Sequence, residues 1–344
     1  MPYDGSCRQQ GGDVGRAAGR GPSYRERMPS FVWEQHCCLP LESDADITEL
    51  ARYPRGSYAS LNVGYSPQSL RDATDLAVSF RAAAVADGRF RAVGAADAIG
   101  DDDRITLAFD LEDSGPLEGN LANVAHFYRL GVRSMLPTYN HANAAGCGCL
   151  DADDTGLTSY GRDLVAEMNE VGMFVDGSHC SVRTGLDLAA TTAAPMIYSH
   201  SNFAAVHQHP RNITDDQARA CAETGGVIGI NGVGIFLGCN GIDEGRERVE
   251  AMADHIEYGV GLVGIDHIGI GSDYSFDNDE FNREIAKNPD AFSEDYTKYG
   301  PLQWVTPEDT VTLDRVLAGR GFDAAAVAAV MGGNFKRIAK EVWR

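Results

Sequence analysis

MFVDGSHCSVRTGLDLAATTAAPMIYSHSN, running from Met173 to Asn202, reads as strand, helix, strand. The apolar run Met173-Phe174-Val175 leads through Asp176 to His179. Val182 to Ala190 is helical, and Pro195 to Tyr198 leads to His200. In parallel α/β folds, sites are built at the carboxyl ends of strands. Two imidazoles at matching ends of adjacent strands can share a metal ion. A lone histidine there would read better as a satisfied core residue. A matched pair reads better as ligands.

Working outward, the same alternation recurs along the chain. Strands are expected at Phe31 to Trp33, Tyr58 to Val63, Ile105 to Phe109, Val132 to Pro137, Gly226 to Asn231 and His267 to Gly271, besides the two above. Helices are expected at Ser69 to Ala86, Leu121 to Leu130, Tyr160 to Val171, Thr214 to Glu223 and Glu244 to Tyr258. A variable loop after Tyr274 and two further helical stretches, Pro307 to Leu317 and Ala324 to Trp343, close the chain. Gly131 is a helix stop, and Thr214 with Gln217 fits a capping box. Eight strands alternating with helices predict an α/β fold, a closed (β/α)8 TIM barrel rather than an open sheet. His36, Glu112, His179, His200 and Asp273 each follow a different strand. Only a barrel mouth gathers five such ends.

The chain has 344 residues and is 43% hydrophobic, enough for one such barrel over residues 31–344. Residues 1–30, rich in Gly, Arg and Gln, read as a disordered leader without the apolar core of a signal peptide. No apolar run reaches membrane-spanning length. A net charge of -21 argues against nucleic acid. Only four lysines occur, which fits a salt-adapted host or simply a soluble protein. Of the eight cysteines, Cys37-Cys38 and Cys147-x-Cys149 are clustered, but no Cys-x-x-Cys pairing marks a structural zinc site. The expected compartment is the reducing cytoplasm.

Three histidines and two carboxylates suit zinc first, with manganese, cobalt or iron as alternatives. Five ligands exceed one tetrahedral site, so two ions bridged by Glu112 is the economical reading. Such a pair polarises a carbonyl and lowers the pKa of a bridging water. Asp273 would take that water's proton and pass it to a leaving amine. The reaction class is hydrolysis of an amide or ester. Arg211, past the sixth strand, reads equally as a grip for a substrate carboxylate and as a surface arginine. His207 and His209 read as loop surface, His126 and His255 as helix residues, and His267 as lying at the wrong strand end.

Val175-Asp176-Gly177-Ser178-His179, Tyr198-Ser199-His200-Ser201, Pro210-Arg211-Asn212, Val263 to Asp273 and Gly333-Asn334-Phe335 together resemble the membrane (renal) dipeptidase family, the M19 metallopeptidases. The resemblance runs from about Phe31 to the C-terminus, the loop after Tyr274 excepted. It implies a metal-dependent hydrolase barrel with a binuclear centre of two zinc ions, one being the alternative. His36 would bind the first ion, Glu112 would bridge, and His179 with His200 would bind the second. Arg211 would hold the substrate's terminal carboxylate, and Asp273 would shuttle the proton. The implied activity is hydrolysis of small dipeptides, with D-residues tolerated at the C-terminal position. Eukaryotic members are membrane-anchored and often dimeric, bacterial members mostly soluble, so a homodimer is one expected partner state. Alternatives are a barrel of the same ancestry cutting another small amide, lactam or ester, and a metal-binding barrel that has lost catalysis.

Three positions depart from the family. Cys38 stands where an aspartate usually binds metal, and is either a thiolate ligand or an inert small hydrophobe, with Cys37 pointing away. Tyr139 replaces a histidine that holds the substrate carbonyl; its hydroxyl can donate a similar hydrogen bond, with His141 as a substitute. Asp113-Ser114 follows Glu112 in place of two glycines.

Overall fold

The computed structural model describes residues 31–287, 292–298 and 300–344. The expected leader lies outside them. In chain order the strands are β1 (Trp33–Cys38), β2 (Tyr58–Asn62), β3 (Phe90–Ala92), β4 (Ile105–Leu111), β5 (Val132–Met135), β6 (Phe174–Val175), β7 (Ile197–Tyr198), β8 (Val227–Ile230), β9 (Ile268–Ile270) and β10 (Tyr274–Ser275). All named pairings are parallel, in the order β6-β5-β4-β2-β1-β9-β8-β7. The ring closes where Asp176 bridges Ile197, with Gly177 N–H donating to the Ile197 carbonyl at 2.8 Å. The eight-stranded parallel barrel read from the sequence is therefore the observed fold. β3 and β10 are additions, paired to β4 and β1 at the barrel margin.

The two ends of the barrel differ in chemistry. At the end where the strands begin, Trp33 stacks on Tyr58 at 3.9 Å and Phe335 and Trp343 lie within 6.4 Å of the Trp33 ring. Phe174, Ile197 and Val227 join this aromatic plug. The last helix, Asn334–Val342, supplies Phe335, Ile338 and Val342 to it. At the other end the strands run out into buried His, Glu, Asp and Asn side chains. Sequence alternation thus sends one end to packing and the other to polar chemistry.

Several expected bounds shift. β1 runs on through Cys38 instead of stopping at Trp33, because its polar residues are satisfied inside the barrel. Buried Glu34 accepts from Ser272 N–H at 2.6 Å, Ser272 Oγ at 2.7 Å and Tyr53 Oη at 3.0 Å. The expected helix at Glu244 to Tyr258 extends to Val263. The two final stretches are each broken. The first divides into Pro307–Thr310 and Leu313–Gly319. The second kinks at Gly332 (φ 157°), where a Cβ would sit 2.7 Å from Trp33 Cβ. The loop after Tyr274 contains helices Asn278–Lys287 and Asp295–Lys298. Gly131 does stop its helix at φ 114°, and the Thr214–Gln217 capping box is formed.

Among the described residues no helix is long and apolar enough to cross a membrane.

Candidate metal centre and substrate cavity

The strand ends bring His36, Cys38, Glu112, His179, His200 and Asp273 to one place. The Nε2 atoms of His36, His179 and His200 lie 3.3, 3.4 and 3.5 Å from the same oxygen, Oε1 of Glu112. Cys38 Sγ is 3.6 Å from His36 Nε2, and Asp273 Oδ1 is 3.5 Å from it on another side. Two ligand sets are compact enough for an ion: His36, Glu112 and His200, and His36, Cys38 and Asp273.

Each ring is fixed through its other nitrogen. His36 Nδ1 pairs with Asp110 Oδ1 at 3.0 Å, and Asp110 Oδ2 accepts from Ser60 Oγ at 2.6 Å. His179 Nδ1 pairs with Asn140 Oδ1 at 2.7 Å, and His200 Nδ1 with Ser199 Oγ at 2.7 Å. With Nδ1–H donating outward, each Nε2 points inward, on His179 and His200 as a free lone pair. Orientation of this kind is what metal-binding imidazoles receive from their neighbours. Burial and the Arg211 charge push His179 down to about 3, and burial, His36 and Arg211 push His200 well below the ordinary imidazole range. Neutral lone pairs facing a carboxylate oxygen, with His200 Nε2 buried and without a hydrogen-bond partner, fit a cation between them. His36 behaves differently: burial opposes its charge, but Asp110 and Glu112 hold it above 6.5. Glu112 Oε2 accepts from Asn62 Nδ2, leaving Oε1 to the imidazoles.

Backbone strain collects here. Of four non-glycine residues with positive φ among the described residues, three are Asn140 (55°), His179 (62°) and Asp273 (57°). Left-handed backbone at such residues persists where surrounding structure enforces it, commonly at functional sites.

Arg211 is buried at 3% exposure, so it is no surface arginine. Its Nη2 donates to the His200 carbonyl at 3.4 Å and its guanidinium lies over Phe236 at 5.3 Å, while Nε has no partner. It lines a cavity of about 110 Å³ together with His179. Tyr139 stacks on His179 at 4.2 Å, and its ring walls the cavity beside Glu112. Asp113, pushed up to about 6 by burial, accepts from Tyr139 N–H at 2.8 Å and so positions that residue, while its charge and that of Glu112 repel one another. His141 does not substitute for Tyr139: its side chain is 47% exposed and lies 3.5 Å from Asp151. His209 is buried instead of lying on the surface, because it packs on Phe236 at 4.7 Å and accepts from Arg211 N–H at 3.1 Å. Cys37 does point away, into the core against the Ser60 carbonyl.

Sequence reading missed Asp110, Asn62, Asn140, Ser199 and Asn231. Asp110 alone carried a signal, since it lies near the end of β4, two residues before Glu112. Asn231 Nδ2 donates to Asp273 Oδ2 at 3.0 Å, a contact no pattern announces.

Comparison with known proteins bears on this geometry. The family model for membrane dipeptidase, peptidase family M19, matches residues 68–287. An uncharacterised protein from the pqqA 5′ region of Klebsiella pneumoniae is 30% identical over 253 residues, covering 71% of this chain and 84% of its own. The dipeptidase aclJ of Aspergillus oryzae is 31% identical over 241 residues, covering 70% of this chain and 52% of its own. This chain thus spans about half the length of that fungal relative. A metallopeptidase from Rhodobacter sphaeroides, solved with a phosphinate mimic of L-Ala-D-Ala, superposes with a TM-score of 0.69 at 20% identity, over 91% of this chain and 99% of that one.

Proposed function

The chain belongs to the membrane dipeptidase family, peptidase family M19, and on that premise we propose that it is a two-metal dipeptidase, zinc being the first choice of ion. The observation that carries the reading is the convergence of three oriented Nε2 atoms on Glu112 Oε1, with a buried, incompletely paired Arg211 beside them. His36 and Cys38 would hold one ion and His179 and His200 the other, with Glu112 between. When bound, such ions supply Lewis acidity toward a scissile carbonyl and make water a nucleophile at neutral pH.

The chain's own residues do the rest. Arg211 takes the substrate's terminal carboxylate through its free Nε and the adjacent Nη, fixing the direction of the dipeptide. Tyr139, half-buried against His179, offers its hydroxyl to the carbonyl oxygen as charge develops there. Asp273, held through Oδ2 by Asn231, accepts a proton at Oδ1 and returns it to the departing amine. Dipeptides with a D-residue at the C-terminal position belong to the proposed range, supported by the ligand of the Rhodobacter structure. A cytoplasmic setting agrees with seven described cysteines that are all free thiols.

The test combines elemental analysis with a panel of L,L and L,D dipeptides, each with a free or amidated C-terminus. Two ions per chain and hydrolysis confined to free carboxylates are expected. Metal-loaded protein that leaves every dipeptide intact but cleaves another small amide, lactam or ester would replace this reading with the divergent-hydrolase one.

A further inference from the structure

Two cavities flank the candidate centre and share no lining residue. One contains Arg211 and His179; the other, of about 240 Å³, has Cys38 and Glu112 in its floor. Glu112 and His179 stand 3.4 Å apart where the two approach each other. On the dipeptidase reading, a carboxylate at Arg211 and a scissile bond at Glu112 leave the larger cavity for the N-terminal residue. Resting on that reading, we infer that this cavity selects dipeptides whose N-terminal side chain is cationic, arginine or lysine.

The walls carry the argument. Glu42, Glu280 and Glu284 line the cavity, and no lysine or arginine does among its described lining residues. Tyr65, Phe281 and Phe292 supply ring faces, with Tyr139 5.1 Å from Tyr65 and 6.4 Å from Phe292. Carboxylates with aromatic faces form the surroundings that bind a guanidinium or an ammonium. Glu280 and Glu284 are half-buried, one turn apart on the helix Asn278–Lys287, and both line this cavity. Burial, Glu284, Asp277 and Glu42 all raise the Glu280 carboxyl above its usual range. Tyr65 Oη donates to Glu284 Oε1 at 3.4 Å, aligning that carboxylate with the ring wall. In a chain of net charge -21, acidic side chains alone mark no site. These glutamates differ because they face a ring-walled cavity whose floor adjoins the centre where buried His200 Nε2 lacks a partner.

The experiment compares kcat/KM for Arg-Ala, Lys-Ala, Leu-Ala and Glu-Ala in wild type and in the double variant Glu280→Gln/Glu284→Gln. In parallel, thermal stabilisation is measured with L-argininamide and L-leucinamide. Wild type should prefer Arg-Ala over Leu-Ala by about tenfold and reject Glu-Ala, as a partly screened charge contact provides. The ratio should fall toward unity in the double variant and in about 1 M salt. Equal turnover of Arg-Ala and Leu-Ala by wild type, or a preference that survives in the double variant, overturns the inference. If wild type cleaves no dipeptide, the dipeptidase reading falls, and the amides decide the cavity. Preferential stabilisation by argininamide that the double variant loses sustains the cation pocket, and equal stabilisation removes it.

Discussion

Cys38 Sγ and His36 Nε2 lie 3.6 Å apart, both projecting from the buried end of β1 toward Glu112. Residues two apart on a strand share a face, so the position that brings His36 to the centre brings the sulfur as well. Burial, helped by the Glu112 and Asp273 charges, outweighs the neighbouring His36 and pushes the free thiol up to about 12. A cation at this position would be the strongest influence on the thiol, since thiolate is the form that ligates.

Cobalt-substituted wild type is therefore expected to show a near-ultraviolet thiolate-to-cobalt charge-transfer band. Cys38→Ala should lose the band and one ion. Cys38→Asp should lose the band but keep both ions, with preference moved toward harder metals such as manganese. Absence of the band in cobalt-loaded wild type would make Cys38 a spectator thiol.

Asp110 lines neither of the two cavities beside the centre, yet it fixes the His36 tautomer from behind. Asp110→Ala would leave His36 Nδ1 buried without its acceptor and Ser60 Oγ without its partner. Metal affinity should fall about 10–100-fold by chelator competition, the usual effect of losing such a support. Fold should be retained by circular dichroism. Unchanged affinity would mean that packing alone orients the ring.

How much of this was legible in the chain follows from what each residue depends on. His36, Glu112, His179, His200 and Asp273 could be read because each lies at or just after the end of a strand, and strand ends in a closed barrel share one mouth. Arg211 could not be resolved, since its burial depends on Phe236 and His209, which only the folded loop brings near. His209 was misplaced for the same reason. The break at Gly332 arises from contact with Trp33, some 300 residues away, and local periodicity carries no trace of it. Asn140 and Asn231 act through hydrogen bonds to residues at other strand ends, and Ser199 through its own neighbour His200. Pattern finds the elements and their ends; support for the site is tertiary.

Arg211 gives a prediction that separates substrate direction from folding. Wild type should hydrolyse a dipeptide at least about 100-fold faster, in kcat/KM, than its C-terminal amide, the difference expected for a charge-assisted pair of hydrogen bonds in a buried site. Arg211→Met should bring the two substrates close together by slowing only the free acid. Arg211→Lys should recover part of the difference, because an ammonium supplies charge without the planar fork. A variant that slows both substrates equally would assign Arg211 to packing on Phe236.

His255 supplies a pH prediction away from the metal centre. It is fully buried on the helix Gly245–Val263, accepts from Phe203 N–H through Nδ1 at 3.1 Å, and leaves Nε2 without a partner. Burial, with the nearby His207, pushes its pKa down to about 4, against an ordinary 6.5. Between those values the unfolded chain binds the proton and the folded chain does not. Stability must therefore rise with pH across that window and be lost as pH falls through it, by up to about 1.4 kcal/mol per pH unit from this group. His255→Asn offers Oδ1 to the same N–H and cannot titrate. Urea midpoints measured from pH 7.5 to 5 should fall more steeply in wild type than in the variant, with the curves nearly parallel above pH 7. Equal slopes throughout would show that His255 takes up its proton without unfolding cost, through water reaching Nε2.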